Sequence, residues 1–241
     1  MIMNETIIPI AQAAKMIGIS IDTLRRWDAS GKLIAIRPGK GSHRMYRLRD
    51  IEIFMTDIFS MAKRWVISDV PEEPAKSFYC ANSSIFQTRL SRMEGELQTV
   101  LPDLFSLISS VTGEIGNNSF DHNLGKWPDI NGIFFAYDLS KKMVVLADRG
   151  LGILETLKRV KESLNNHQDA LKVAFTEVLT GRAPEHRGNG LKYVRKIVTG
   201  YPIRLTFQTG DAKLNLKEGD SDVIIECSSQ SLRGCLALIR F

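Results

Sequence analysis

Residues 113–123 read Gly-Glu-Ile-Gly-Asn-Asn-Ser-Phe-Asp-His-Asn, a stretch that brings two acids and three amides close together. Side chains four residues apart lie on the same face of a helix, so Glu114, Asn118 and His122 would form one stripe, with Asp121 beside it. Such a stripe is too polar for a protein core. We therefore expect a packed helix whose polar face is directed at a ligand.

Composition limits what kind of protein this can be. The chain has 241 residues, of which 44% are apolar and 24% charged, enough for one large domain or two small ones with real cores. No stretch has the length and apolarity of a membrane span or a secretory signal, so we expect a cytoplasmic protein without membrane contact. The three cysteines lack CxxC spacing and indicate neither a disulfide framework nor a zinc site.

The excess positive charge lies in the first quarter of the chain. Residues 1–64 carry 11 Lys and Arg against 6 Asp and Glu, a net charge of +5, whereas residues 65–241 carry 21 of each sign. A basic N-terminal module on a neutral remainder indicates a polyanion-binding head attached to a domain with another task. The alternative is a basic face that is merely solvated.

Two short helices across a tight turn are predicted near the N-terminus. Residues 8–17 have helical character and stop at Gly18, and Ser20 is a candidate N-cap for a second helix over residues 21–29. This is the pattern of a helix-turn-helix. Apolar side chains on the second helix follow core spacing, which leaves its polar side chains facing outward.

A basic hairpin follows the two helices. Residues 33–36 and 44–48 are strand-like and flank a turn rich in Gly and Pro. Beside a helix-turn-helix, such a hairpin is a wing that grips phosphates while the second helix enters the major groove. A helix beginning at Arg49 would close the module. The expected DNA contacts of helix and wing are Thr23, Arg25, Arg26, Arg37, Lys40, His43 and Arg44.

The N-terminal pattern resembles a known family. The segments Thr23-Leu24-Arg25-Arg26-Trp27 and Arg44-Met45-Tyr46-Arg47-Leu48-Arg49-Asp50-Ile51 are similar to the MerR and excisionase-type winged helix-turn-helix. The resemblance implies that double-stranded DNA is the partner of this domain. We place the domain at residues 1–64 and a linker at residues 65–84, with residues 65–67 as a possible short strand.

A second motif follows a predicted strand. A helical hairpin or dimer element, residues 86–122, precedes two predicted strands at residues 132–137 and 142–148. The second strand runs into Asp148-Arg149-Gly150-Leu151-Gly152. A carboxylate at a strand end, followed by a glycine turn, can accept a hydrogen bond from an exocyclic amine while the backbone approaches a flat ring.

A third motif opens a helix. The loop over residues 180–190 is basic and runs through Gly188-Asn189-Gly190 into a helix that begins near Leu191. Free backbone amides and the helix dipole at such an N-terminus favour phosphate. The loop has no GxxxxGK[ST] pattern, so a P-loop is not supported.

Together the three motifs resemble the GHKL superfamily, whose Bergerat fold binds ATP in gyrase B subunits, heat-shock chaperones, histidine kinases and MutL-type mismatch-repair proteins. The match covers residues 86–241. It implies that Asn118 binds Mg²⁺, Glu114 is the general base, and Asp148 recognises adenine in a pocket shaped by Gly150 and Gly152. Residues implied at the phosphates are Arg187, Gly188, Gly190 and Leu191. Asp121 has a supporting or adenine-side role, and His122 either touches phosphate or is an ordinary surface histidine.

The sequence therefore predicts an α+β chain with a winged helix-turn-helix followed by an α/β sandwich at residues 85–241, a mixed sheet covered by helices on one face. We expect a homodimeric, Mg-ATP-responsive DNA-binding regulator that hydrolyses ATP slowly. A kinase or anti-sigma-like protein acting on a partner protein, and a non-hydrolysing nucleotide-binding module, are the alternatives. None of the four histidines lies on a helical hairpin ahead of the first motif, which argues against a histidine autokinase.

Overall fold

The computed structural model describes residues 6–17, 19–29, 33–37, 39, 43–48, 50–51, 57–70, 72–177 and 190–241. Contacts divide the chain into two compact units, Met1–Met61 and Ala62–Phe241. None of the helices in these described ranges combines the length and apolarity needed to cross a membrane.

The part of the N-terminal unit that the structure describes includes two consecutive helices and a small sheet. Its elements are β1 (Ile7–Pro9), α1 (Ile10–Ile17), α2 (Ile21–Ala29) and β2 (Met45–Arg47). The Ser20 hydroxyl accepts a hydrogen bond from the Thr23 amide at 3.1 Å, which confirms Ser20 as the N-cap of α2. Leu24 of α2 is fully buried in one core with Tyr46 of β2, and Trp27 packs against it, as predicted, whereas Ile21, which the same spacing placed in the core, is exposed.

The predicted hairpin is shorter than expected in the residues that the structure describes. Ile36 and Met45 form a single antiparallel bridge, with N–O distances of 2.7 and 3.0 Å. β2 forms its ladder with β1, where Ile8 lies opposite Tyr46. Residues 8 and 9, predicted as the start of the first helix, belong instead to β1, because three residues ending in proline give little strand signal. Asp50 and Ile51 are helical, as predicted, and Leu48 before them is helical too, while the other residues of the predicted helix lie outside the described residues.

Helix α3 (Ile58–Ile67) contains the boundary between Met61 and Ala62. The predicted strand at residues 65–67 is wrong, because these residues form the end of this helix. The remaining elements are β3 (Tyr79–Cys80), α4 (Ser83–Val100), α5 (Phe105–Asn123), β4 (Ile133–Asp138), β5 (Met143–Asp148), α6 (Gly152–Leu157), α7 (His167–Thr176), α8 (Gly190–Gly200), β6 (Arg204–Leu216) and β7 (Ile225–Arg240).

The strands of the C-terminal unit form one sheet in the order β3-β4-β5-β7-β6. Every pairing in it is antiparallel, so the expectation of a mixed sheet is wrong. The physical reason lies in the connection that carries α6, α7 and α8. A helical crossover from β5 to β6 makes these strands parallel in direction, but β7 lies between them and is antiparallel to both.

Both faces of the sheet are covered around β4, which corrects the expectation of helices on one face. Neighbouring side chains of a strand point to opposite faces. The Phe135 ring packs against Phe86 of α4 with a centroid distance of 5.2 Å, whereas the Phe134 ring meets Trp65 of α3 at 6.5 Å and stacks on Phe78 at 5.4 Å. Residues 65–84, assigned to a linker from sequence, belong to this unit, and Tyr79 of β3 pairs with Phe134.

Helices α4 and α5 form the expected hairpin on the other face. The Asn82 side chain caps α4 by accepting a hydrogen bond from the Ile85 amide at 3.0 Å. Gly116 of α5 lies directly on the Phe86 ring, and a Cβ at this position would overlap the ring. This close approach fixes the rotation of α5, which determines the direction of its polar residues.

Candidate functional site

A cavity lies where α5, the turn after β5 and the beginning of α8 meet. Its lining includes residues from two of the three sequence motifs and Leu191, the second residue of the helix that the third motif opens. The lining residues are Ile115, Asn118, Ser119, His122, Asn123, Asp148, Gly152, Ile153, Thr156, Leu191, Phe207 and Cys235.

Asp148 is the buried acid of the cavity, with 2% of its surface exposed. Its carboxylate accepts hydrogen bonds from the Ser119 hydroxyl at 2.8 Å and from the Gly150 amide at 2.9 Å. Burial raises the pKa of Asp148 to about 6, against the lowering effect of hydrogen bonds from Ser119, Gly150 and Cys235. The group is therefore fixed in orientation and mainly ionised at neutral pH.

The glycine turn after Asp148 is held by Asn123 at the end of α5. The Asn123 amide accepts a hydrogen bond from the Leu151 N–H and donates one to the Ser119 carbonyl, both at 2.8 Å. A Cβ at Gly150 would overlap the Asn123 side chain, and Gly152 has a φ of +76°, a conformation that favours glycine. Gly150 is therefore glycine because a side chain would not fit, and Gly152 because of its backbone conformation.

On the other side of the cavity, Thr209 of β6 connects the start of α6 to Gly234 of β7. This role was not predicted from sequence. Its buried hydroxyl donates to the Gly234 carbonyl at 2.9 Å and accepts from the Ile153 amide at 3.2 Å. Gly234 packs so closely on Asp148 that a Cβ would overlap its carbonyl oxygen. A lone Thr within a strand gives no sequence signal of such a role.

Glu114 and Asn118 meet the start of α8. A Cβ at Gly190, the first residue of α8, would lie 2.5 Å from the Glu114 carboxylate and 3.3 Å from the Asn118 side chain. Asn117, the neighbouring amide, instead accepts a hydrogen bond from Gln87 of α4 at 2.6 Å. The polar face of α5 therefore directs Asn118, rather than Asn117, toward the cavity.

The remaining predicted residues of this site fall into three groups. His122, which is exposed, and Leu191, which is partly buried, both line the cavity. Asp121 is exposed and is absent from the cavity lining. Arg187 and Gly188 lie outside the described residues.

The side-chain oxygens of Asn118 and Glu114 limit which metal ion this region could hold. Across the described residues, no group of three His, Cys, Asp or Glu side chains is arranged to hold a metal ion. Mg²⁺ in nucleotide sites keeps several waters and takes one or two protein oxygens together with phosphate oxygens. The Asn118 amide next to Glu114 fits that requirement, whereas it would not fit zinc.

In the N-terminal unit, Asp28 organises the predicted wing cations. Its carboxylate, 5% exposed, accepts hydrogen bonds from Arg37 at 2.5 Å, Arg44 at 2.7 Å and the Ala35 amide at 2.9 Å. Burial raises the pKa of Asp28, but these hydrogen bonds and the charge of Arg37 bring it below its usual value. Arg37 and Arg44 are thus ordered by one acid, which sequence reasoning missed because its partners are nine and sixteen residues away.

The predicted DNA-contacting residues of α2 are on its surface. Arg25 is exposed and pairs with Asp22 at 2.8 Å, and Arg26 is exposed and donates to the Thr23 hydroxyl at 3.3 Å. His43 is also exposed. Lys40 lies outside the described residues.

Comparison with known proteins gives the class of the N-terminal unit. Residues 9–46 match the family described as MerR family regulatory protein, a segment that contains α1, α2 and the first two residues of β2. The chain therefore carries a MerR-family helix-turn-helix domain, which supports a DNA-binding regulatory role.

A curated relative is the Type II methyltransferase M.Eco47II of Escherichia coli, to which the chain is 32% identical over 56 residues. The aligned segment covers 23% of this chain and 13% of the methyltransferase. The likeness is thus local and leaves most of both proteins unmatched.

Proposed function

We propose that the chain is a DNA-binding regulator whose C-terminal unit binds Mg-ATP in a Bergerat-type fold of the GHKL superfamily. In this proposal, the nucleotide state alters how the winged helix-turn-helix head engages DNA. The order of the three motifs supports the proposal, together with the convergence of the first two motifs and Leu191 on one cavity.

The nucleotide proposal depends on the burial and fixed orientation of the Asp148 carboxylate. A buried, oriented carboxylate in a cavity lined by Ile115, Ile153 and Phe207 offers one strong acceptor among apolar side chains. A flat heterocycle with an exocyclic amine satisfies both features, because the ring is apolar on its faces and the amine donates. Adenine has that amine, whereas guanine presents a carbonyl at the equivalent ring position.

The phosphate end of the site would lie toward α8. The N-terminus of this helix supplies free amides and the positive end of its dipole, and Asn118 and Glu114 are next to it. Mg²⁺ when bound would neutralise phosphate charge. Asn118 would hold the metal, and Glu114 would take a proton from water if ATP is hydrolysed.

For the head, α2 would enter the major groove and the segment around Arg37 and Arg44 would approach phosphates. The MerR-family match supports this arrangement. Arg25 and Arg26 are both exposed, which supports their proposed role as DNA contacts.

Calorimetric titration of the full chain with Mg-ATP tests the nucleotide proposal. We expect binding by the wild type, at least a tenfold loss in Asp148→Asn, and wild-type affinity in Asp103→Asn, an exposed control in the same unit. Mg-GTP should bind far more weakly than Mg-ATP. The proposal fails if Mg-ATP gives no heat and does not compete with a fluorescent ATP analogue.

A further inference from the structure

Arg149, the residue directly after Asp148, is an arginine buried almost completely. Its side chain is 3% exposed. The guanidinium forms a two-pronged ion pair with Asp129, with N–O distances of 2.8 to 3.2 Å, and its Nη1 donates to the Trp65 carbonyl at 2.5 Å. A buried charge is costly unless it is paired and its donors are used, so this side chain has one defined position.

Asp129 ties Arg149 to a second segment at the cavity. Its carboxylate also accepts a hydrogen bond from Arg233 at 2.9 Å, and Arg233 precedes the Gly234 that packs on Asp148. Burial by itself raises the pKa of Asp129, but hydrogen bonds from Arg149 and Ile130 and the charges of both arginines bring it below its usual value. One ionised carboxylate thus holds both chain segments that flank Asp148.

The third partner, Trp65, lies in the last turn of α3. Carbonyl groups in the last turn of a helix lack helical partners, and a cation there also interacts favourably with the helix dipole. The Ser68 amide reaches the same carbonyl only at 3.4 Å. Arg149 therefore supplies the strong hydrogen bond at this end of α3, the helix that contains Met61 and Ala62, the boundary residues of the two units.

Asp148 and Arg149 face opposite ways. Asp148 lines the cavity on the α5 side of the sheet, where Ser119 binds it, whereas Arg149 reaches Trp65, which packs on Phe134 from the other side. The two residues share a peptide bond, and the Gly150 amide that closes their turn is bound to the Asp148 carboxylate. Because this amide belongs to the peptide between Arg149 and Gly150, a ligand that repositions the carboxylate also acts on the peptide next to Arg149.

We propose that Arg149 is a positioning residue that transmits occupancy of the Asp148 cavity to helix α3. The inference rests on the proposed nucleotide site and names how that site is linked to the segment leading to the DNA-binding head. Ligand contact with Asp148 orders the turn at residues 148–150. The guanidinium of Arg149, bound to Asp129 and to the Trp65 carbonyl, then holds the end of α3 more firmly.

Hydrogen–deuterium exchange of the full chain tests this link. With Mg-ATP bound, we expect amides in residues 58–70 of the wild type to exchange at least about threefold more slowly. Arg149→Lys keeps the charge but loses the planar guanidinium that binds Asp129 and Trp65 at the same time. Arg149→Gln keeps a donor but loses the charge. Either variant should bind Mg-ATP with an affinity within about threefold of wild type, yet show no slowing in residues 58–70.

Arg233→Lys is the matched control, because it changes the other cation on Asp129 and leaves the Trp65 contact in place. It should respond to Mg-ATP as the wild type does. The inference is overturned if the wild type binds Mg-ATP without slower exchange in residues 58–70, if folded Arg149 variants respond normally, or if Arg233→Lys also loses the response. Absence of any Mg-ATP binding by the wild type would instead overturn the proposed function, and the inference with it.

Discussion

The hydroxyl of Ser119 donates a 2.8 Å hydrogen bond to the carboxylate of Asp148, 29 positions later in the chain. This bond joins α5 directly to the end of β5. Ser119 follows Asn118 in the polar stretch of α5, so the same turn of helix that directs the amide toward α8 also orients the buried acid. The first two sequence motifs are thus parts of one hydrogen-bonded assembly.

The raised pKa of Asp148 predicts a pH-dependent stability. Burial moves the pKa from 3.8 to about 6, so the folded state binds this proton more tightly than the unfolded state. The resulting stability is complete below pH 4 and is lost as the pH rises through about 6, a change of up to about 3 kcal/mol. Asp148→Asn lacks this titration. The unfolding free energy of the variant minus that of the wild type should therefore increase between pH 4 and 7.5.

Urea unfolding at a series of pH values measures that difference, with Asp103→Asn as the exposed control. A constant difference between Asp148→Asn and wild type across this range would show that the carboxyl of Asp148 titrates normally.

Glu114 is predicted to act on turnover rather than on binding. Glu114→Gln keeps the size and a hydrogen-bonding group but cannot take a proton, so ATP affinity should stay within about threefold while phosphate release falls by at least about a hundredfold. Calorimetry and a phosphate-release assay on the same samples separate the two quantities. Equal phosphate release by wild type and variant would remove Glu114 as general base.

The contact between Gly116 and Phe86 is predicted to limit substitution on α5. Gly116→Ala should destabilise the fold by about 1 to 3 kcal/mol, because the added methyl group overlaps the Phe86 ring. Gly95→Ala is the matched control, since Gly95 also lies inside a helix but has open space around it, and it should stabilise by up to about 1 kcal/mol. Chemical denaturation of both variants gives the comparison, and two equal effects would contradict the packing.

Arg25 and Arg26 are predicted to contribute to DNA affinity. Replacing either by Ala should weaken binding, and each phosphate contact that is lost should reduce the slope of log K against log salt by about one. Arg92→Ala, an exposed arginine on α4, is the control and should leave the slope unchanged. Fluorescence anisotropy with duplex DNA at several salt concentrations measures the slope, and an unchanged slope in both α2 variants would exclude them from the phosphate contacts.

Local signals predicted the elements that carry them. The bounds of α2 agree with prediction because a serine cap and a regular apolar spacing define the helix within its own sequence. By contrast, the lengths of β6 and β7 do not follow from their local pattern, since glycines within a strand pattern suggest breaks. Gly210 and Gly234 instead adopt positive φ values of 53° and 71°, which let each strand bend and continue.

The site was predictable where its residues recur at helical or turn spacing. Asn118 and Asp148 belong to such patterns and both line the cavity. Thr209, Asn123 and Asp28 act through partners far along the chain or through backbone groups, and a single sequence contains no record of those distances. The predicted place of Asp121 depended on helical spacing alone, which cannot distinguish a cavity-facing edge of the stripe from a solvent-facing one.

The pairing of Tyr79 with Phe134 also limits where a fragment containing only the C-terminal unit can begin. A fragment starting at residue 85 would expose the hydrogen-bonding edge of β4 and strip Trp65 and Phe78 from the Phe134 ring. Bare strand edges beside apolar surface recruit other chains, so such a fragment should precipitate by edge-to-edge association. The shortest soluble fragment would have to begin before α3. Residues from α3 to β3, which carry little sequence signal, cover the edge of β4 and so prevent the sheets of two fragments from pairing.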